Sequence, residues 1–356
     1  IDKKAHGNYP APYKALEIVL NAPGKPVGEA ALVEADATAE LATGKVCKNL
    51  VSIFFASEAA KRLAKFEDGS SPERMTHGAV VGGGVMGGGI ASLMAERGME
   101  GRLADLSQGA LDAAILAHRK DVETKRRRRR YAPHEANAAI DRLGVSLGIT
   151  AVKRADVAVE AVAEILDVKR AHYAVFRATF PDIEIRSVTS GFPASELGVG
   201  IAHPAFPHEI NKIYETVEDE PSAITQLLWA LGLIPVPVGD QWSFVLDVLF
   251  CGVTLAGLKY RHARNMPYWK VDKYVRKHVG PNPFRAHDAI GAAGANFLTW
   301  SCLHHLAGSY GPLFDPGPEL TEHKETGAGW YPPNHFRPLV DWKLDGAGEE
   351  DFRTWI

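Results

Sequence analysis

Cysteine is scarce in this 356-residue chain: Cys47, Cys251 and Cys302 are the three, and no two stand in a CxxC pair. That excludes a disulfide framework and a cysteine zinc site. No apolar run approaches the roughly 18–20 residues that a membrane span needs. No excess of one charge exists either, since 40 basic face 43 acidic side chains for a net −3, which removes any global case for nucleic acid or an anionic membrane surface. Low-complexity text is absent apart from one arginine run. What remains is 46% hydrophobic and 23% charged, an ordinary globular balance, and the length suits two or three domains. No signal peptide is visible and the first residue is Ile1, so the expectation is a soluble intracellular protein continuing from an upstream segment.

The first seventy residues read as helical. Asn8-Tyr9-Pro10-Ala11-Pro12 is an extended opening, a helix is expected from about Tyr13 to Leu20, and one or two long helices from Glu29 to about Lys65. The polar run Glu67–Pro72 marks a boundary. From His77 onward short β-branched runs alternate with helical text. The expected strands are Ala79–Val81, Leu103–Asp105, Val145–Thr150, Val157–Val162, Ile183–Val188, Val199–Ala202 and Ile234–Val238, which is the signature of a parallel sheet covered on both faces. After Asp240 the text turns helical, with segments at Phe244–Leu258, Trp269–His278 and Asp288–Leu306. The expected architecture is therefore α/β. Residues 1–73 form linker helices, 74–240 a Rossmann-type nucleotide domain with a mostly parallel sheet, and 241–356 an all-helical domain.

One motif carries chemistry by itself. Gly82, Gly84 and Gly87 make G-x-G-x-x-G, with Val85 and Met86 inside it, and Asp105 ends the next expected strand 23 residues after Gly82. Glycines let the backbone approach a diphosphate, the following helix offers unpaired N–H groups, and the carboxylate accepts from ribose hydroxyls. A carboxylate there repels a 2′-phosphate, so NAD is expected rather than NADP.

With these residues in view, the stretch Val81–Ala91 resembles the glycine loop of the L-3-hydroxyacyl-CoA dehydrogenase family, most closely the dehydrogenase part of fatty-acid oxidation α-subunits. Further resemblances run in order. Asn8–Pro12 is similar to the end of that protein's hydratase half. Val159-Glu160-Ala161-Val162-Ala163-Glu164 with Lys169 is similar to the family's VEA-x-x-E…K segment, which would set Ala161, Glu164 and Lys169 at the cofactor. Ser187-Val188-Thr189-Ser190 is similar to S-N-T-S, and Thr326–Tyr331 to T-G-x-G-[FW]-Y. The resemblance implies that His203 is the general base on the substrate 3-hydroxyl, that Glu215, twelve residues later, orients its imidazole, and that Ser190 hydrogen-bonds the hydroxyl. A histidine suits the task because its ordinary pKa lies near neutrality. His208 competes for the role, but stands only seven residues from Glu215.

The chain also departs from the family. The Asn of S-N-T-S is Val188, the Asn after the catalytic His is Phe206, and P-G-F-x-x-N-R reads Trp242-Ser243-Phe244-Val245-Leu246-Asp247-Val248. Asp247 is thus expected at the substrate in place of an amide. The basic run Lys125–Arg130, with Arg126, is a candidate landing site for coenzyme A phosphates, weighed against an ordinary solvated helix face. No metal is expected, since His262 and the adjacent pair His304/His305 lack companions at ligand spacing.

The implied reaction is NAD-dependent oxidation of (3S)-3-hydroxyacyl-CoA. Two rivals are an impaired NAD-binding scaffold within a β-oxidation assembly and a dehydrogenase of a small free hydroxy acid. Implied partners are the acyl-CoA substrate, an upstream hydratase domain, a thiolase subunit and a second copy of the chain, with no nucleic acid. The implied location is the cytoplasm, or the mitochondrial matrix in a eukaryote.

Overall fold

The structure, a computed structural model, describes residues 1–5, 7–63, 75–205, 211–218, 221–278, 280 and 282–332. The chain divides into two compact units, Ile1–Lys65 and Phe66–Ile356. The first holds α1 (Asp2–Ala5), α2 (Ala11–Asn21), α3 (Val27–Thr43) and α4 (Lys45–Leu63). The long helical text after Glu29 is two helices, because Gly44 is extended and stops α3. The turn-forming run Glu67–Pro72 lies outside the described residues.

The second unit is built on eight strands: β1 (His77–Val81), β2 (Glu100–Asp105), β3 (Leu143–Leu147), β4 (Val157–Glu160), β5 (Glu184–Ser187), β6 (Ile201–Pro204), β7 (Ile213–Val217) and β8 (Ile234–Pro237). Among them run α5 (Val85–Glu96), α6 (Gln108–Arg127), α7 (Pro133–Asp141), α8 (Leu166–Thr179), α9 (Ala194–Leu197) and α10 (Ala223–Ala230). After the sheet come α11 (Leu246–Arg264), α12 (Tyr268–His278), α13 (Pro283–Ile290), α14 (Ala292–Tyr310) and α15 (Gly317–Thr326). The strand order is β3-β2-β1-β4-β5-β6-β7-β8. Every pairing is parallel except β6 with β7. The order reverses between β1 and β4, and a crevice at the carboxyl ends of those strands is where open parallel sheets bind ligands.

Two apolar layers sandwich the sheet. Val80, Ile90, Met94, Leu103 and Leu227 form one, and Ala79, Tyr173, Phe176, Ile185 and Ile201 the other. The alternation of Ala79 and Val80 between layers is the period-two consequence of a strand buried on both faces. A third cluster, including Cys251, Tyr260, Phe284, Leu303 and Trp330, holds the C-terminal helices together.

Three expectations need correction. Strand β7 was not expected; its sequence Ile-Tyr-Glu-Thr-Val carries a glutamate at the centre, yet Tyr214, Glu215 and Thr216 are all buried. The expected mostly parallel sheet is found, with β7 and β8 running against the others. The helix expected from Phe244 begins at Leu246, since Ser243 and Phe244 both adopt left-handed backbone, φ 59 and 51. The helix expected over Asp288–Leu306 is two, broken at Gly291, φ 125.

Candidate active site

Strand β1 ends at Val81 and the chain turns at once into α5. Gly82 has φ 108, and a Cβ on it would lie 2.3 Å from the Ala161 carbonyl oxygen beyond β4. A Cβ on Gly87 would lie 1.9 Å from the Gly82 carbonyl oxygen. These two positions admit only glycine, which is why the motif takes this form. Gly84 and Val85, by contrast, are open: nothing stands within 4 Å of a Cβ on Gly84, and Val85 is 70% exposed. Gly84 caps α5 without a side-chain acceptor for the first-turn amides. An exposed helix N-terminus with unpartnered N–H groups and bare backbone suits a dinucleotide diphosphate. Met86 is half-buried in the same turn.

Asp105, at the end of β2, accepts from Gly83 N–H with Oδ2 at 2.6 Å and from Ser107 N–H with Oδ1 at 2.7 Å. Its carboxylate therefore braces the glycine loop and sits beside the cradle, where a ribose hydroxyl would meet it. The residues fit a nicotinamide dinucleotide.

Beyond β4 lies a buried ionic network. Lys169, 1% exposed on α8, places Nζ 2.8 Å from Glu160 Oε1 and 3.1 Å from Glu164 Oε2. Glu160 also accepts from Val162 N–H at 2.6 Å, Ser187 Oγ–H at 2.8 Å and the Tyr173 hydroxyl. Burial, then the Glu160 charge, pushes the Tyr173 phenol far above its ordinary value, so it stays a donor. Lys169 is therefore committed to two carboxylates and, at 3.4 Å, to the Val162 carbonyl, and positions the loop from within. Glu164 continues outward, accepting from the Thr189 hydroxyl and from Gly191 N–H at 3.3 Å. The network joins the cofactor loop to the turn carrying half-buried Ser190. Sequence reasoning singled out Glu164 and Lys169 but not Glu160, Tyr173, Ser187 or Thr189 as their partners. The only available signal was the polar alternation Ser187-Val188-Thr189, with Val188 itself buried.

Gly191 accepts from Ser243 N–H at 3.0 Å, which ties this turn to the left-handed pair Ser243-Phe244. Phe244 in turn packs on the His203 ring at 5.4 Å. His203 on β6 faces Glu215 on β7 directly across the antiparallel pair. Opposed residues in such a pair share a face, and Glu215 Oε2 lies 2.8 Å from His203 Nδ1. Glu215 Oε1 accepts the Val245 and Leu246 amides, each at 3.0 Å, at the start of α11. Asp247, in the first turn of α11, places Oδ2 3.2 Å from His203 Nε2. The carboxylate expected to meet the substrate therefore lies in ion-pair contact with the imidazole; the side chain is 17% exposed, but Oδ2 itself is buried and makes no hydrogen bond. Burial, the largest influence on His203, disfavours its charged form. Asp247 and then Glu215 outweigh it, raising the pKa to about 10.

The remaining expected residues stand apart or unseen. Arg126 is paired with Glu123 on its own helix at 2.6 and 2.7 Å. Lys125 is tied to Glu96 and Asp121, each at 2.6 Å, and Arg127 lies 4.0 Å from Glu123, so only Arg128–Arg130 resemble the loose cationic face expected of the run. Phe206 and His208 lie outside the described residues. His304 stacks on Trp300 and His305 on Trp242, while His262 meets Glu319 at 2.9 Å.

Residues 77–221 match the family described as 3-hydroxyacyl-CoA dehydrogenase, NAD binding domain. A fatty acid oxidation complex subunit alpha from Idiomarina loihiensis is 29% identical over 318 residues, covering 84% of this chain and 44% of that protein. One from Shewanella baltica is 33% identical over 213 residues, 57% of this chain and 29% of that one. The chain thus spans less than half the length of the curated relatives it matches. Among solved structures, M. tuberculosis FadB2 superposes with a TM-score of 0.64 at 23% identity, covering 73% of this chain and 99% of that one. The 3-hydroxybutyryl-CoA dehydrogenase from Escherichia coli gives 0.61 at 22%, covering 78% and 63%. At those identities the likeness is one of fold. No described helix is long and apolar enough to cross a membrane. The glycine cradle and the matched span together assign residues 77–221 to the 3-hydroxyacyl-CoA dehydrogenase family, as its NAD-binding domain.

Proposed function

We propose that the chain interconverts (3S)-3-hydroxyacyl-CoA and 3-ketoacyl-CoA with NAD as the redox partner, within fatty-acid β-oxidation. The observation that carries this reading is His203, held by Glu215 on the adjacent strand and linked through Phe244, Ser243 and Gly191 to the cofactor-side network. The nicotinamide supplies the hydride chemistry at C3. Gly82, Gly84, Val85, Met86 and Gly87 would hold the diphosphate, Asp105 the ribose, and Ala161, Glu164 and Lys169 the wall beside them. Ser190 would orient the substrate oxygen, and His203 would exchange its proton, with Glu215 fixing the tautomer and stabilising the imidazolium. Residues 74–240 serve as the nucleotide domain in this reading, and 241–356 as a helical domain closing on the acyl chain. Arg126 and its neighbours contribute at most a general attraction to phosphates. A hydratase domain, a thiolase subunit, a second copy of the chain and a cytoplasmic or matrix location follow from the same reading.

A non-catalytic NAD-binding scaffold is the second reading, favoured by the Asp247 carboxylate beside His203 Nε2. Both are tested by following NADH absorbance with acetoacetyl-CoA for the wild type and His203→Ala, alongside calorimetry of NADH binding. Turnover that collapses in the variant with binding retained supports the enzyme. Equal rates in the two sink His203 as the proton-transfer group. Binding without turnover in either supports the scaffold.

A further inference from the structure

The family resemblance places an amide where this chain has Asp247, and the structure gives that carboxylate a specific neighbour. His203 is 3% exposed, and both ring nitrogens face carboxylate oxygens: Nδ1 meets Glu215 Oε2 at 2.8 Å and Nε2 meets Asp247 Oδ2 at 3.2 Å. A neutral imidazole carries one N–H and one lone pair. Glu215 is hydrogen-bonded to Nδ1, while Asp247 Oδ2 is buried beside Nε2 with no hydrogen bond of its own. A neutral ring would leave that anionic oxygen uncompensated, whereas the imidazolium sets a positive charge against it. An amide at position 247 could instead rotate its NH2 toward Nε2 and satisfy the neutral form.

The surroundings reinforce the charged form. Asp247 lies in the first turn of α11, where the helix macrodipole favours a carboxylate. Among the described residues, the titratable groups facing this pair are Glu215 from β7, Asp247 itself, Cys251 one turn further along α11, Cys302 from α14 and His287 from α13. Burial holds the Cys251 thiol protonated, and burial likewise lowers His287 to about 4, leaving it neutral at pH 7. None of them supplies a competing cation, so His203 is the counter-charge to both carboxylates.

We propose that Asp247 is a positioning residue that keeps His203 protonated at neutral pH, so that at saturation the site turns over faster as a 3-ketoacyl thioester reductase than as an alcohol dehydrogenase. This rests on the function proposed above and specifies its direction. Reduction places a hydride on C3 from the reduced dinucleotide, which is thereby oxidised, and a proton on the C3 oxygen. The C3–O π bond breaks, an O–H bond forms, and the Nε2–H bond of His203 breaks to supply that proton. Water then restores it between turnovers. Oxidation needs the opposite starting state, an imidazole already stripped of that proton, and is held back until the pH is well above neutrality. Asp247 Oδ2 makes no hydrogen bond, so an arriving oxygen displaces only an ion-pair contact from Nε2.

The test begins on the free protein, with no cofactor or substrate present. The ring nitrogen NMR signals of His203, assigned by their loss in His203→Gln, are followed from pH 5 to pH 10.5. The wild type should remain an imidazolium through pH 8, and Asp247→Asn should lower the midpoint by about one pH unit or more, tenfold in the proton equilibrium. A neutral His203 in the wild type at pH 7 overturns the proposal, and this outcome does not depend on the variant folding. In kinetics, wild-type oxidation of 3-hydroxybutyryl-CoA should rise into the alkaline range. At saturating substrate and cofactor, Asp247→Asn should gain about tenfold or more in the kcat of oxidation at pH 7 and lose its reductase kcat at a correspondingly lower pH. A pH profile identical in the two proteins overturns it. Failure of the underlying function looks different: neither direction turns over in either protein, while the imidazole titration keeps the contrast between them.

Discussion

Two histidines lie equally deep in this protein, and their surroundings displace their pKa values in opposite directions. His203 is 3% exposed and His287 fully buried. Burial is the largest influence on both and pushes each toward neutrality. At His287 it prevails and lowers the pKa to about 4, because the partners are neutral: Asn296 Oδ1 lies 2.7 Å from Nδ1 and the Thr299 hydroxyl 3.1 Å from Nε2. One acceptor and one donor suit a neutral ring. At His203 two carboxylates reverse the outcome and raise the value to about 10. Depth in the fold does not assign charge to a histidine; the chemistry of the two groups on its nitrogens does.

The largest expected break in this contrast is Glu215→Ala. It strips one of two anions from a buried cation and frees the Val245 and Leu246 amides, at a cost of about 3–5 kcal/mol, measured as a lowered urea midpoint. The corresponding loss at the other histidine, Asn296→Ala, should cost only about 1–3 kcal/mol, because neutral groups are left unpaired. Equal costs would show that the charge difference does not control stability.

The two sites also give opposite pH dependences. Between its ordinary value of 6.5 and about 10, the folded state binds a proton at His203 that the unfolded chain does not. That stabilisation is fully present below 6.5 and is lost as the pH rises through the window. Between 6.5 and about 4 the unfolded chain binds the extra proton at His287, so stability falls as the pH falls. Thermal melts of Asp247→Asn should show a weaker alkaline loss and an unchanged acid one, and those of His287→Gln the reverse. Asn296→Asp sharpens the comparison by giving His287 a carboxylate, and its imidazole midpoint should climb from about 4 to above 6.5, read by NMR.

The smallest expected effect is at Ser243→Gly. Where the family resemblance has glycine, Ser243 holds φ 59, next to Phe244 at φ 51. Relieving one left-handed residue should raise stability by up to about 1 kcal/mol, seen as a modest rise in Tm, without moving the His203 midpoint.

Legibility in the sequence followed distance along the chain. The glycine loop and Asp105 could be read because their chemistry is completed within 23 residues by one strand, one turn and one helix. The interval from His203 to Glu215 could be noticed, but β7 could not, since a glutamate in the middle of a short strand looks like surface text. Only the pairing with β6 shows that this glutamate lies in the same buried layer as the histidine. Arg126 failed as a free cation for a similar reason, because its partner Glu123 is one turn away and the two neutralise each other locally.

The sequence by itself determined the nucleotide fold and its cradle, because glycine conformations, β-branched runs and helix starts are local properties of the backbone. The electrostatic setting of His203 and Glu215 was decided only by tertiary structure. It depends on three residues from β6, β7 and α11 meeting within 3.2 Å, and electrostatic energy at that range is set by distance and burial rather than by order in the chain.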